Sequence, residues 1–212
     1  MVELKTRRPR GRPKSEASVS EDTKLALLRA GMAMLTEKGF TVSGIEPILK
    51  SVGVPKGSFY HYFSNKEAFG LAVLKAYQQY FESKLDHFLQ NEELPYQQRL
   101  VHFSKDACEG MVRHHFKRGC LVGNLEQESV LLSESFNQHI QACYQSWQNR
   151  LAQYLQAGQV DGVFAFKDDA NQMAQIFWLG WEGAVHRARL LKSCQPLESY
   201  MAFYLANILK PE

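Results

Sequence analysis

Val54-Pro55-Lys56-Gly57-Ser58-Phe59-Tyr60-His61-Tyr62-Phe63-Ser64-Asn65-Lys66-Glu67-Ala68-Phe69 reads as a tight turn, a short helix and the opening of a much longer one. Pro55 cannot continue a helix from before it, and Gly57 loosens the backbone where the next begins. Phe59 and Phe63, four apart, share one helical face, while Lys56, Ser58, Tyr60, His61 and Tyr62 spread around the others. A core-facing helix rarely shows so many hydroxyl and imidazole groups; a helix in a DNA groove does, because they bond phosphates and base edges. Ser64-Asn65-Lys66-Glu67 has the form of a capping box, with Phe63 placed to staple against Ala68. The short helix and the long one are thereby expected to move as one unit.

The chain has 212 residues, 45% of them hydrophobic, which suits one or two domains with a sizeable core. No apolar run approaches the roughly 20 residues of a membrane span, and the charged N-terminus lacks the apolar stretch of a secretory signal, so a cytoplasmic location is expected. The formal net charge of +3 is unevenly spread: six cations against Glu3 give the first fourteen residues +5, leaving −2 for the rest. A basic arm on a slightly acidic body points to a polyanion met at one end. Within residues 1–19, read as a flexible arm, Pro9-Arg10-Gly11-Arg12-Pro13 resembles an AT-hook core, with Arg10 and Arg12 suited to a narrow minor groove. A basic tail that only aids solubility is the other reading. The four cysteines, Cys108, Cys120, Cys143 and Cys194, are widely spaced, so neither a metal site nor a disulfide is expected. No G-x-S-x-G elbow, H-E-x-x-H, phosphate loop or dinucleotide fingerprint occurs, which argues against an enzyme, and no cofactor is implied.

Helical periodicity dominates elsewhere. A first helix is predicted over about 21–38, capped by Ser18 or Ser20, with Leu25, Leu28, Met32 and Leu35 as its apolar stripe. A second runs to Ser51 from a capping box at Ser43-Gly44-Ile45-Glu46. After the long helix to about Asn91, further helices are predicted near 95–116, 121–130, 133–157, 168–191 and 197–209. So large a helical body exceeds what a DNA-binding headpiece needs, which implies a second ligand.

Residues 20 to 75, and above all 54–69 together with Thr36-Glu37-Lys38-Gly39-Phe40, Ser43 and Ile48, resemble the TetR family of one-component transcriptional regulators. The resemblance implies an all-α subunit, with a helix-turn-helix DNA-binding domain over 20–64 and a six-helix ligand-binding and dimerisation domain over 65–212. It implies that Lys56, Gly57, Ser58, Tyr60 and His61 face a major groove, that Tyr62 and Lys66 hold phosphates, and that Ser43 stands at the DNA backbone. Partial burial of Tyr60 and Tyr62 is the alternative. Its implied partners are palindromic operator DNA and a second copy of the chain. Release by a small molecule is implied as well, against an architectural or activating DNA-binding protein without an inducer.

Arg118-Gly119-Cys120-Leu121-Val122-Gly123-Asn124 and Phe177-Trp178-Leu179-Gly180-Trp181-Glu182-Gly183-Ala184 are similar to a narrower branch that senses acrylate, beside one that senses electrophiles. That likeness implies an acrylate-like or electrophilic inducer and makes Cys120, Asn124, Trp147, Trp178, Trp181 and Glu182 candidate ligand contacts. The tryptophans suit a pocket wall or a core. Cys120, beside Lys117 and Arg118, is either an activated thiol or a packed one. Gly180, Gly183 and Ala184 form a small face for a dimer seam or for packing inside one subunit. Glu182, on an apolar face, requires a partner.

Overall fold

The computed structural model describes residues 16–209, where the chain forms nine helices and a single isolated β-bridge, Phe164 to Leu209. Arg10 and Arg12 lie outside the described residues. Helix α1 spans Glu16–Lys38, α2 Ile45–Val52 and α3 Lys56–Tyr62. Then come α4 (Lys66–Leu89), α5 (Tyr96–Arg113), α6 (Leu121–Glu126), α7 (Glu134–Val160), α8 (Ala170–Leu191) and α9 (Gln195–Ile208). The architecture is all-α, as expected. The first helix begins ahead of its predicted start, so Ser18 and Ser20 lie inside it, and residues 16–19 are helix where an arm was expected.

Both expected capping boxes are replaced by other contacts. At α2 the cap is Gly44 without a side-chain bond, because Ser43 is buried and donates its hydroxyl back to the Gly39 carbonyl at 2.5 Å. At α4 the cap is Asn65, whose Oδ1 accepts from the Ala68 N–H at 2.8 Å. Asparagine caps as well as serine, so the helix starts one residue later, and Glu67 takes a bond from Ser133 on the way into α7. Phe63 packs on Phe59 and Phe69 at 5.4 and 5.0 Å between ring centres, so the two helices are still locked together.

Helices α4, α7 and α8 enclose an aromatic core. Phe81 packs on Trp147 at 4.4 Å and Trp147 on Trp178 at 5.2 Å, with Phe103 and Phe177 around them. Each such ring pair adds about 0.5–1.5 kcal/mol beyond its burial. At the edge of this core, Arg150 of α7 bonds Asp86 and Glu82 of α4 at 3.0 and 3.3 Å, while Ser146 donates to Glu82 at 2.5 Å. This network holds the long helix from the side opposite the headpiece.

Two cysteines do pair, against expectation: Cys108 of α5 and Cys194, just before α9, form a disulfide. Their separation of 86 residues hid a Cα–Cα distance of 5.5 Å, within the range a disulfide spans. The bond closes a long loop between an inner and a terminal helix. Cys108→Ser is expected to lower the unfolding free energy by about 2–4 kcal/mol in the absence of reductant and to make no difference in its presence. Denaturant titration of both proteins under both conditions checks this.

Candidate functional site

The polar short helix stands exposed at one end of the molecule. Phe59 is fully buried and anchors α3, while Lys56, Gly57, Tyr60 and His61 face outward, with Tyr60 half exposed. Ser58 and Tyr62 are partly covered, and Tyr62 lies edge-on to His61. Lys56 reaches Glu46 of α2 at 3.5 Å across open surface, a weak pair that leaves the ammonium available. A Cβ on Gly57 would meet nothing within 4 Å, so no contact inside this chain calls for glycine there.

Ser43 and Lys66 are placed differently from the exposed group. Ser43 is buried under Gly39. Lys66 donates to the Thr41 carbonyl at 3.1 Å and sits 4.5 Å over the Phe40 ring. Its pKa is lowered by burial, which Glu128 partly opposes. In this arrangement the Lys66 ammonium braces the α1–α2 turn.

That turn is also gripped from the body. Glu128, just past α6, accepts from the Phe40 N–H at 3.0 Å, the Thr41 N–H at 2.7 Å and the Thr41 hydroxyl at 2.6 Å. Gly39, at φ +80°, sits directly against the Glu128 carboxylate, where a side chain would have no room. Asn124, inside α6, donates to the Thr36 carbonyl at 2.5 Å and accepts from Arg189 at 2.7 Å. Arg189 donates a further bond to the Glu37 carbonyl at 3.2 Å, and Arg118 pairs with the Glu37 carboxylate at 2.9 Å. One short helix thus fastens the end of α1 to the body. No local pattern marked Glu128, because its partners lie 87 and 88 residues away.

The other end of α6 borders a cavity of about 470 Å³ between α1, α4, α5 and α8. Its walls include Met32, Phe103 and Met111, and Arg29, Lys84, Arg113 and Arg118 make its surroundings basic. Cys120, Trp181 and Glu182 of the expected ligand contacts all line it, joined by Tyr77 of α4. Trp147 and Trp178 do not; they belong to the aromatic core, and Asn124 belongs to the α1 attachment.

Chemically the cavity floor is a buried polar cluster. Tyr77 donates its hydroxyl toward the Cys120 sulfur at 3.8 Å, and that sulfur accepts from the Gly123 N–H at 3.4 Å. Burial, reinforced by Glu182, holds the Cys120 thiol well above its ordinary range. Of the two readings of Cys120, the packed thiol fits this burial: Arg118 is paired with Glu37, and desolvation outweighs the cations nearby in sequence. Glu182 is only 6% exposed, and neither carboxylate oxygen has a hydrogen-bond partner. Burial pushes its carboxyl up to about 7; the adjacent Cys120 thiol offsets part of this and Glu126 adds to it. The carboxylate rests against Gly123, where a larger residue would displace it.

Comparison with known proteins adds two family models: "Bacterial regulatory proteins, tetR family" matches residues 27–73, and "Tetracyclin repressor-like, C-terminal domain" matches residues 97–204. The chain belongs to the TetR family. It is 45% identical over 193 residues to the transcriptional regulator AcuR of Cereibacter sphaeroides, covering 91% of this chain and 86% of that one. It is 33% identical over 188 residues to the HTH-type transcriptional repressor NemR of Escherichia coli, covering 89% and 94%. A crystal structure of regulatory protein TetR from Rhodobacter sphaeroides superposes with a TM-score of 0.84 at 43% identity, covering 87% of this chain and 98% of that one. The reduced form of Escherichia coli NemR superposes at 0.81 with 32% identity, covering 90% and 99%. These relatives are named as regulators, in keeping with the reading of this TetR-family chain as a non-enzyme.

The buried carboxyl has a consequence for stability. A raised pKa means that the folded chain keeps a proton which the unfolded chain gives up. Stability from that group is complete below the unfolded value of 4.5 and is lost as pH rises through about 7. Glu182→Gln should remove the loss, raising stability near pH 8 by on the order of 3 kcal/mol with little change near pH 4. Thermal unfolding of the two proteins across that range measures it.

Proposed function

We propose that this TetR-family chain is a ligand-released transcriptional repressor that binds a palindromic operator as a homodimer and lets go when a small unsaturated acid of the acrylate type enters the cavity. The observation that carries the reading is the position of α6, with Cys120 and Gly123 at the cavity floor and Asn124 and Glu128 fastened to the headpiece. A molecule that moves the floor moves the α1–α2 turn, and α3 with it. The acid class is supported by Arg29 and Arg113 beside the cavity and by the resemblance of residues 118–124 and 177–184 to an acrylate-sensing branch.

In this reading the headpiece is residues 20–64, and α3 enters the major groove with Lys56, Ser58, Tyr60 and His61 toward the bases. Gly57 gives the backbone close approach to the DNA. Tyr62 and Lys66 lie at the phosphates, and Ser43 sets the turn behind them. Arg10 and Arg12 add a minor-groove grip. Two such helices read half-sites one helical turn apart, roughly 34–36 Å.

Dimerisation uses the outer face of α8 and α9, where Ile176, Leu179, Leu190 and Phe203 are 45%, 72%, 73% and 66% exposed. Gly183 opens onto this face, while Gly180 is filled by Tyr200 of the same subunit and Ala184 is buried, so only part of the small-residue stripe serves the seam.

Gly57→Ala should stabilise the free protein slightly, by about 0.5–1 kcal/mol, while weakening operator binding at least about tenfold. Tyr60→Ala should abolish specific binding and leave a dimer. Glu128→Ala, which lacks the clasp, should bind the operator more weakly even without acrylate and respond little to it. Fluorescence anisotropy on the region upstream of the protein's own gene, with and without acrylate, reads all three. Tight binding by the Gly57 and Tyr60 variants, or wild-type operator affinity and wild-type acrylate response in the Glu128 variant, would contradict the assignment.

A further inference from the structure

Of the polar groups at the cavity floor, Glu182 is the least satisfied: neither oxygen has a partner at full hydrogen-bond distance, and only the Cys120 thiol stands beside it. Tyr77, Cys120 and Gly123 satisfy one another. Tyr144 of α7 donates to Glu126 at 2.8 Å, and His186, one turn along α8, is bonded to Gln127. Arg189 is taken up by Asn124, Glu37 and Lys117. Across the cavity Lys84 pairs with Asp106, Arg118 pairs with Glu37, and Arg29, Arg113 and His114 stand toward its wider surroundings. Among the described residues no cation is paired with the Glu182 carboxylate, and a buried charge with no partner is costly, whereas a buried carboxylic acid needs only an acceptor. An incoming carboxylate supplies that acceptor. Two carboxyl groups in contact cannot both be ionised, so the pair holds one proton between them.

We propose that Glu182 recognises the ligand by sharing one proton with its carboxylate, so that the small acid and a proton bind together. This rests on the acid-inducer reading above. Glu182 is then a specificity residue: it accepts an acid or a carbonyl compound, which offers a lone pair to its O–H. Ligand response also becomes pH-dependent. While Glu182 is protonated the anion binds directly; once it is ionised, a proton must be taken from solvent with each ligand. The raised pKa of this carboxyl places the change near neutrality.

Isothermal titration of the full-length protein with acrylate, from about pH 6 to about pH 9, tests the proposal, since the acid itself stays ionised throughout. The expected result is a Kd nearly constant below about pH 7 that rises about tenfold per pH unit above it. Above that point the binding heat should change with the buffer's ionisation enthalpy, as uptake of about one proton requires. Glu182→Gln, whose amide donates at every pH, should bind with a flat profile near the low-pH affinity of the wild type. A wild-type affinity independent of pH, or the same slope in Glu182→Gln, overturns the proton-sharing role while leaving the acid reading in place. No binding of acrylate even at about pH 6 overturns both.

Discussion

The Glu128 carboxylate accepts from the Phe40 N–H, the Thr41 N–H and the Thr41 hydroxyl, and this clasp joins the body to the headpiece at the turn between α1 and α2. Bonds to a charged acceptor are worth about 1.5–3 kcal/mol each, against 0.5–1.5 for neutral pairs. Phe40 and Thr41 would otherwise be turn residues with amides open to water. Gly39 makes the approach feasible, since its positive φ bends the chain and its missing side chain leaves space for the carboxylate. The orientation of α2 and α3 relative to the body follows from this one contact more than from any other polar one.

Behind the clasp, the molecule is divided into parts that yield and parts that do not. The aromatic stack of Phe81, Trp147 and Trp178, together with the Arg150 network between α4 and α7, forms a buried back wall. On the other side of the cavity, α6 is six residues long and is preceded by a loop in which His115 and Phe116 both hold positive φ. Residues in that conformation cost of order 1–3 kcal/mol each, so this loop is where strain is stored. Under the proposed function, α6 offers displacement at the floor a route to Asn124 and Glu128. The coupling of α3 to the long helix expected from sequence has a firm mechanical basis in Phe59, Phe63 and Phe69, and α4 also lines the cavity through Tyr77 and Phe81.

Periodicity and punctuation were enough to read most of the helices, many of them bounded by Gly, Pro, Ser or Asn, while the short α6, buried at five of its six residues, has no polar face. The exposed character of Lys56, Tyr60 and His61 was equally legible, since hydroxyl and imidazole groups surround a single phenylalanine face. Three kinds of feature were not. A cap can shift by one residue at no cost when serine and asparagine stand side by side, as at Ser64 and Asn65. A side chain's protonation depends on solvent access, so sequence left Cys120 open between an activated and a packed thiol, and burial leaves it protonated. Contacts between distant positions, the Cys108–Cys194 disulfide and the Glu128 clasp, are set by helix packing and carry no local pattern. Trp181 and Glu182 reached the cavity while Trp147 and Trp178 went to the core, because position around the helix bundle, not residue type, decides which tryptophan is a wall.

The central claim is that cavity and DNA-reading helix communicate through α6 and the turn it holds. Amide hydrogen exchange of the peptide containing Phe40 and Thr41, measured with and without saturating acrylate, tests it most directly. The account predicts strong protection in the free protein, a loss of protection when acrylate binds, and little further change in Glu128→Ala, where the clasp is already gone. Acrylate that releases operator DNA while leaving the exchange of Phe40 and Thr41 unaltered would contradict it.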